Sequence, residues 1–461
     1  MCVYCKGPTR KQIGTKIKVV GMTKVAIPSP MHPIIPYNIV LLEDENGSRL
    51  PKKTMKDYKI GDDFILEKAH SNDAVSISKV KYDIFEAIKQ SVGLLKDVSI
   101  RSDDKILIKP SIISAAYPYQ AVNTNPEFLD ALLNFLFEIG VKKENIIMAE
   151  QALIGSDSVD ASSKAGVLEI CKRHSIQFMD ISKGPFEKII SDGYDLNVFK
   201  EALDRKIINA PIMKTNFQLT ISGAVENLSR LVDEQTQRRM YQDNIDETLP
   251  KLAKKLNIFT IADATNGMQG QGPLALGEPA FLNLILSGHN PFCVDIAFCE
   301  IAMLPIPRYV GQGINPKTIE FVGNELDALK YPIKQPVPSE TAHPDIRLID
   351  GKACSACLSM MNSITSKLVG LRGDEINVVM GSQISKEDVN SRDRIVLLGD
   401  CVMKVADSLG ISSDARISED IDPVEQIVLM KKLLMTKGTP KITNIDRVKS
   451  KMKKLLSKVI S

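Results

Sequence analysis

The chain has 461 residues, of which 44% are hydrophobic and 25% charged, and this composition excludes a disordered or fibrous protein. It contains 59 basic and 56 acidic residues, and the resulting net charge of +3 creates no strong field for nucleic acid. No apolar run reaches the roughly 18 residues that span a bilayer, and the first ten residues lack a secretory signal, so we expect a cytoplasmic protein without a membrane span.

Residues 1–74 contain short β-like runs separated by prolines and by the Glu45-Asn46-Gly47 turn. The runs are Ile17–Val20, Lys24–Ile27, Asn38–Leu42 and Asp63–Glu67. Short strands with frequent turn residues predict a small β-barrel or sandwich as a first domain.

Residues 75–330 alternate apolar strands with helical stretches, which predicts a central α/β domain with a doubly wound, mostly parallel sheet. The clearest helix begins at Asn125-Pro126 and ends at Gly140, because these residues supply start and stop signals. The predicted strands are Lys105–Ile108, Asn145–Ala149, Ile176–Ile181, Lys206–Ile208 and Ile258–Ala262, and Val198–Leu203 is predicted to be helical.

A third region, residues 345–436, follows a proline-rich stretch and is predicted to form a smaller C-terminal α/β lobe. Its predicted helices are Ser355–Val369 and Pro423–Leu434, and its strands Ile376–Val379 and Arg394–Leu398. Residues 437–461 are predicted to form a basic helical tail, which is either a solvated terminal helix or a contact for a membrane surface or an acidic partner.

Polar residues stand where the central strands end. Lys109 follows one strand, Glu150 the next, and Asp263 a third. Ligands of open parallel sheets bind beyond the carboxyl ends of the strands, so these residues are candidate site residues. The alternative is ordinary ion pairing at the edge of the sheet.

Two loops add further candidates. Gly267, Gly270 and Gly272 follow Asp263, and glycines there let backbone N–H groups surround an anion, although a purely structural loop is the alternative. Lys214 is predicted to lie in a second loop. It is an anion clamp, a base with a lowered pKa, or a solvated surface lysine.

Eight cysteines are too few for a disulfide scaffold in a chain of this length. Cys2 and Cys5 form a CxxC pair that is half of a zinc ribbon or a pair of free thiols. Cys354 and Cys357 form a second pair, and with Cys401 they give three thiolates for zinc or an iron–sulfur cluster, or else buried reduced thiols.

A series of motifs follows in order between residues 75 and 310. They are Lys105–Pro110, Asn123–Pro126, Glu150, Asn209–Thr215, Gly223–Leu228, Asp263–Pro273 and Asp295. In this order they resemble the domain of unknown function 362 family, although Ser111, Asn216 and Glu226 differ from the residues usual there. On these motifs we place Asn227 and Asp295 among the substrate-binding residues.

The first 70 residues carry a second resemblance, in Cys2–Cys5, Gly14–Val20, Pro36–Glu43 and Lys59–Asp63. These segments are similar to the domain of unknown function 35 family, an OB-like barrel that usually follows a zinc ribbon. The resemblance implies an OB-like first domain and an acyl-CoA thioester or a thiolase-type partner.

These observations leave three functions open. The first is an enzyme, an isomerase, racemase or lyase, that binds a small anion such as an acyl-CoA thioester. In this enzyme Lys109 and Lys214 bind the negative groups of the substrate, and the glycine loop donates N–H groups to it. Glu150 or Asp263 acts as acid or base. The second is a scaffold for a thiolase-type enzyme, and the third is a metal or iron–sulfur protein that uses the C-terminal cysteines.

Overall fold

The computed structural model describes residues 16–436 apart from short gaps. The gaps are residues 31, 66–68, 70, 99, 155, 275, 312–313, 337–342, 369, 390–393, 420 and 422. Cys2, Cys5 and the basic tail lie outside the described residues. The described chain divides into two compact units: the first contains the residues up to Gln237 and Asp246–Pro336, and the second contains Arg238–Ile245 and the residues after Pro336.

The N-terminal strands form an open sheet. They are β1 (Ile17–Val25), β2 (Tyr37–Asp44) and β3 (Arg49–Thr54), paired antiparallel in the order β1-β2-β3. The predicted barrel is not confirmed, because two of the expected strands merge into the single strand β1, which passes Gly21 with a register shift. Asp63 makes only an isolated bridge to Lys18, so the described residues leave the sheet unclosed.

The next thirteen strands form the central sheet and a separate hairpin. They are β4 (Val75–Lys79), β5 (Ile106–Pro110), β6 (Ile146–Glu150), β7 (Gln177–Asp180), β8 (Phe186–Ser191), β9 (Tyr194–Phe199), β10 (Lys206–Ala210), β11 (Ile212–Asn216), β12 (Thr220–Ser222), β13 (Ile258–Gly270), β14 (Gly277–Ala280), β15 (Leu284–Gly288) and β16 (Phe321–Gly323).

The central sheet is mainly parallel, as predicted. Its order is β16-β4-β15-β13-β10-β5-β6-β7, and β15 runs antiparallel to both of its neighbours. Strands β11, β12 and β14 extend from the β13 side, while β8 and β9 pair only with each other. Because β13, β10, β5 and β6 are parallel neighbours, their carboxyl ends meet at one edge.

Nine helices occur in the described part of the chain before residue 337. They are α1 (Ile84–Gly93), α2 (Pro126–Glu138), α3 (Ser158–Lys164), α4 (Val167–His174), α5 (Lys200–Asp204), α6 (Glu234–Ala253), α7 (Pro291–Ala302), α8 (Arg308–Gly311) and α9 (Leu326–Leu329). The start of α2 follows the sequence signals: the Asn125 side chain accepts the Glu127 N–H at 3.0 Å, and Gly140 takes a φ of +93° just beyond the end.

The apolar core of the first unit lies between these helices and one face of the sheet. Ile88 of α1 and Leu132 of α2 belong to the same buried cluster as Ile106 and Ile108 of β5. Since side chains alternate along a strand, Lys109 faces away from the side that Ile108 occupies.

Both loop predictions are wrong, because Lys214 lies in the strand β11 and most of the glycine segment is also strand. Gly267 and Gly270 belong to β13, which continues past its predicted end and pairs with β14. Glycine is required there because a Cβ on Gly267 would lie 2.5 Å from the Met213 carbonyl oxygen, so glycine lets β11 approach β13. The predicted helical stretch Val198–Leu203 is also split, since β9 ends at Phe199 before α5 begins.

The second unit contains a four-stranded parallel sheet in the order β17-β18-β19-β20. Its elements are β17 (Ile346–Gly351), α10 (Ser355–Lys367), β18 (Ile376–Gly381), α11 (Lys386–Val389), β19 (Ile395–Leu398), α12 (Asp400–Leu409), β20 (Ala415–Ile417) and α13 (Pro423–Met435). The elements predicted from the sequence are all present, and their ends agree within a few residues. Within the described residues, no helix combines the length and apolarity that a membrane crossing needs.

Candidate functional site

A buried ion pair stands at the carboxyl ends of β5 and β6. The Lys109 Nζ donates to both carboxylate oxygens of Glu150 at 2.7 Å, and both side chains are completely buried. Glu150 also accepts the backbone N–H groups of Ile112 at 2.9 Å and Gln151 at 2.8 Å. Burial lowers the pKa of Lys109 and raises the pKa of Glu150, while the attraction within the pair opposes both changes. Glu150 therefore satisfies the Lys109 charge.

Asn227 joins this pair to the neighbouring strand β10. Its Oδ1 accepts from the Lys109 Nζ at 3.2 Å, and its Nδ2 donates to the Lys109 carbonyl at 3.1 Å and to Asn209 Oδ1 at 2.8 Å. Lys109 and Asn209 are paired in register on adjacent strands, so their side chains share a face of the sheet. Asn227 thus fixes the position of the lysine.

Lys214 on β11 is buried in a different way. Its Nζ donates to the Val122 carbonyl at 2.7 Å and approaches the Ser111 hydroxyl at 3.4 Å, with 1% of the side chain exposed. No described carboxylate forms an ion pair with it. Burial lowers the pKa of Lys214 to about 7, and the charges of Arg230 and Lys109 add to the decrease while Glu226 and Glu150 oppose it.

Lys109, Glu150, Lys214, Glu226 and Arg230 form a buried charged group, since the other four charges all act on Lys214. The interpretation of the sequence did not place Glu226 or Arg230 in the site. Both are buried in the 3-10 turn Glu226–Leu231, which also carries Asn227. The Arg230 Nη1 is buried and has no hydrogen-bond partner among the described residues. The signal in the sequence was the position of Arg230 three residues after Asn227, one turn further along the same element.

The segment between β5 and α2 covers Lys214. Its ends are tied together, since the Ser111 N–H donates to Thr124 Oγ1 and the Thr124 N–H donates to the Ser111 carbonyl, both at 2.9 Å. Tyr117 and Tyr119 stack on each other in its exposed part, with ring centroids 5.7 Å apart. A loop of this size whose ends meet is a compact Ω-loop, a type that frequently carries function.

Asp263 is held by hydrogen-bond donors rather than by a cation. Its carboxylate accepts from the Thr265 hydroxyl at 2.6 Å, the Thr265 N–H at 3.0 Å and the Asn125 N–H at 3.1 Å. Burial raises its pKa, and these hydrogen bonds oppose the increase. Asp263 therefore links β13 to the beginning of α2.

Asp295 on α7 supports the turn that carries Asn227 and Arg230. Its carboxylate accepts the N–H groups of Ala224 at 2.6 Å and Val225 at 3.0 Å, and burial raises its pKa to about 7. Gly223 makes this approach possible, because a Cβ there would lie 2.1 Å from the Asp295 Oδ1. Asp295 therefore fixes the start of the turn that carries Asn227 and Arg230.

The glycine segment is engaged in backbone contacts. The Gly270 N–H donates to the Lys334 carbonyl at 2.8 Å, and the Gly272 N–H donates to the Gly270 carbonyl at 2.9 Å. A Cβ on Gly272 would lie 2.2 Å from the Thr215 carbonyl oxygen. These two N–H groups therefore serve the fold, and the glycines permit the close packing of the β11 strand that carries Lys214.

The three C-terminal cysteines come together in the second unit. The Cys357 thiol lies within hydrogen-bonding reach of the sulfurs of Cys354 and Cys401. A hydrogen bond from Cys357, aided by Arg238, lowers the pKa of Cys354 to about 6, whereas the interactions with Cys354 and Cys401, together with burial, raise the pKa of Cys357. Nevertheless, no three or more His, Cys, Asp or Glu side chains of the described residues are arranged to hold a metal ion, so the metal interpretation lacks support there.

Comparison with known proteins agrees with the resemblance of the central region. The chain is 25% identical over 251 residues to the thylakoid-associated protein sll1697 of Synechocystis sp., a match that covers 51% of this chain and 74% of that protein. The resemblance of the first 70 residues to the domain of unknown function 35 family stays a prediction. A family model matches residues 106–300, and this central region is thus similar to the family described as Domain of unknown function (DUF362).

Proposed function

We propose that the central domain is an enzyme that binds a small anion, a carboxylate or a phosphate ester, beneath the 111–124 loop. The observation that carries the proposal is Lys214, a buried amine without a carboxylate partner among the described residues. Arg230, whose charge acts on Lys214, also keeps a buried Nη1 without a hydrogen-bond partner in the described chain.

The charge balance favours an anionic ligand. Lys109 has a carboxylate partner in Glu150, whereas neither Lys214 nor Arg230 forms an ion pair with a carboxylate of the described residues. Burying an uncompensated cation is costly, and a bound anion would remove that cost. Because the Lys109 Nζ is already bound to Glu150, we assign the direct contact with the anion to Arg230 and place the Lys214 amine next to it.

Lys214 is also suited to act as the base of a reaction. An amine with a pKa of about 7 is half unprotonated at neutral pH and is therefore suited to remove a proton. We propose that Lys214 takes the hydrogen on the carbon next to the substrate carbonyl, while Arg230 binds the negative charge. Such a step belongs to isomerases, racemases and lyases. Lys109, Glu150, Asn227 and Asp295 act as positioning residues.

Access to Lys214 requires a movement of the loop that covers it. The Lys214 amine donates a hydrogen bond to the Val122 carbonyl at 2.7 Å, so a substrate that binds the amine must replace this hydrogen bond. The loop is anchored at Ser111 and Thr124, and its opening would leave both anchors in place. Many enzymes exclude water during a reaction with a loop that closes over the site while its two ends stay in place.

A ligand panel tests binding. Thermal denaturation is followed with inorganic phosphate, malonate, lactate and acetyl-CoA, for the wild type and for Lys214→Met and Arg230→Met. Lys206→Met is the matched control, since Lys206 pairs with Asp104 at the opposite end of β10. We expect at least one anion to raise the melting temperature of the wild type and of the control, and not of the other two variants. No stabilisation by any of the four, or equal stabilisation of all variants, would contradict the proposed anion site.

A second experiment separates an enzyme from a binding protein. Malonate, lactate or acetyl-CoA, whichever stabilises the protein, is incubated with it in D₂O, and NMR follows deuterium entering the carbon next to the carbonyl. We expect exchange with the wild type and none with Lys214→Met. Binding without exchange for every such ligand would refute the catalytic role and leave a binding protein.

A further inference from the structure

The second unit contains a cluster of three thiols that the proposed function does not use. Cys354 is the N-cap of α10, Cys357 lies in its first turn, and Cys401 lies in the first turn of α12. The strands that precede these helices, β17 and β19, both flank β18, so the two helix N-termini stand over the same end of one parallel sheet.

Cys357 is the central sulfur of the cluster. It lies within hydrogen-bonding reach of both Cys354 and Cys401. Gly399, directly after β19, makes room for it: a Cβ there would lie 2.4 Å from the Cys357 Sγ, and its φ of +102° also favours glycine. The glycine therefore lets the Cys357 sulfur come against the chain two residues before Cys401.

The three thiols differ in accessibility. Cys354 and Cys357 are 2% and 0% exposed, whereas Cys401 is partly exposed. An external reagent thus meets Cys401 first. Because the Cys357 sulfur lies against Gly399, two residues before Cys401, a disulfide between Cys357 and Cys401 would join two segments that are already in contact.

A cation stands beside the cluster. The Arg238 Nη1 lies 3.6 Å from the Cys354 Sγ, and the guanidinium binds the Glu419 carboxylate through two hydrogen bonds of 3.1 and 2.7 Å. The N-terminus of α10 and the Arg238 guanidinium favour thiolate sulfur at Cys354, while at Cys401 the interaction with Cys357 lowers the pKa and the Glu419 carboxylate opposes the decrease. At the other described cysteines, Cys171, Cys293 and Cys299, burial raises the pKa of the thiol instead.

We propose that Cys401 and Cys357 form a redox-active dithiol that exchanges with low-molecular-weight disulfides such as glutathione disulfide. The Cys401 thiolate attacks one sulfur of the external disulfide, forming a mixed disulfide and releasing one thiol. Cys357 then attacks the Cys401 sulfur, which forms the Cys357–Cys401 disulfide and releases the second thiol. Two protein thiols are oxidised and one external disulfide is reduced to two thiols, so electrons and protons balance. The inference rests on no part of the proposed function.

The test uses the full-length protein, reduced without oxygen and then treated with glutathione disulfide. Remaining thiols are blocked with N-ethylmaleimide, and mass spectrometry of unreduced peptides identifies every disulfide. We expect one peptide pair joined through Cys357 and Cys401, reversible with dithiothreitol. Cys357→Ser should leave glutathione on Cys401, and Cys401→Ser should slow the loss of the Cys357 thiol at least tenfold. The control Cys171→Ser, in the core of the first unit, should behave as wild type.

Three results would overturn the inference. One is a Cys354–Cys357 disulfide that forms as fast in Cys401→Ser as in the wild type. The second is a wild-type chain that keeps both thiols, or only a glutathione adduct. The third is stoichiometric zinc or iron in the protein as purified that protects all three thiols from N-ethylmaleimide, because this would identify the cluster as a metal site. Circular dichroism of each variant separates these results from misfolding.

Discussion

Replacing Lys214 with methionine has a pH-dependent effect on stability that follows from its burial. The amine has a pKa of about 7 in the folded protein against 10.5 ordinarily. At about 1.4 kcal/mol for each pH unit between these values, burying its charge costs up to about 5 kcal/mol below pH 7. Methionine has no such cost and a side chain of similar length.

The sign follows from proton binding. Below pH 7 the amine is charged in both states, so the full cost is present and methionine gains most. Between pH 7 and pH 10.5 the unfolded chain holds a proton that the folded chain lacks, so wild-type stability rises relative to Lys214→Met. From pH 7.5 to pH 9.0 the relative gain of the wild type is about 2 kcal/mol.

Urea unfolding followed by circular dichroism at pH 6.0, 7.5 and 9.0 measures this difference. Lys206→Met serves as the control, because it removes a lysine of the same sheet that has a carboxylate partner, Asp104. A constant difference for Lys214→Met, or one that changes in favour of the variant as the pH rises, would refute the argument that Lys214 is buried without compensation.

Three further predictions concern the residues that support the site. Glu150→Gln should destabilise the protein by about 3 kcal/mol or more because it leaves Lys109 buried and unpaired, whereas Lys109→Met combined with Glu150→Leu should cost less in urea unfolding. Gly267→Ala should cost about 2 kcal/mol, because the new methyl would lie 2.5 Å from a carbonyl oxygen, while Gly93→Ala, with open space around it, should be neutral or stabilising by the same assay. Asp295→Asn should lower stability by about 1–3 kcal/mol, since its amide cannot accept both N–H groups; an unchanged melting temperature would contradict this role.

Local signals predicted most of the elements. The cap and glycine signals placed α2 because they act within a few residues of the helix ends. Lys109 and Glu150 were candidate site residues because each ends a predicted strand, and the structure places them on neighbouring parallel strands as an ion pair. Ligands of parallel sheets bind beyond the carboxyl ends of the strands, so candidate residues can be found once the strands are located in the sequence.

Features that depend on distant packing were missed. The segment of Gly267 and Gly270 looked like a loop because glycine marks turns, but here it permits the contact of β13 with β11. Arg230 was overlooked because its burial beside Lys214 arises only when the turn after β12 folds back over the sheet. The barrel was expected from counting short strands, and two of these proved to be one.

The proximity of the three C-terminal thiols also needed the fold. Cys354 and Cys357 share a helix, so their separation follows from the spacing. Cys401 joins them only because β17 and β19 lie on either side of β18 and end at the same edge. A sequence shows which cysteines are available but not which helices stand side by side.

The titration of Lys214 itself tests the central claim most directly. Protein labelled with ¹³C in lysine side chains is titrated by NMR with and without the anion that stabilises it most, and Lys214→Met assigns the signal. The account predicts a pKa of about 7 that rises when the anion binds. A pKa near 10.5 in the free protein, or one that the anion leaves unchanged, would contradict an uncompensated lysine placed to receive an anionic substrate.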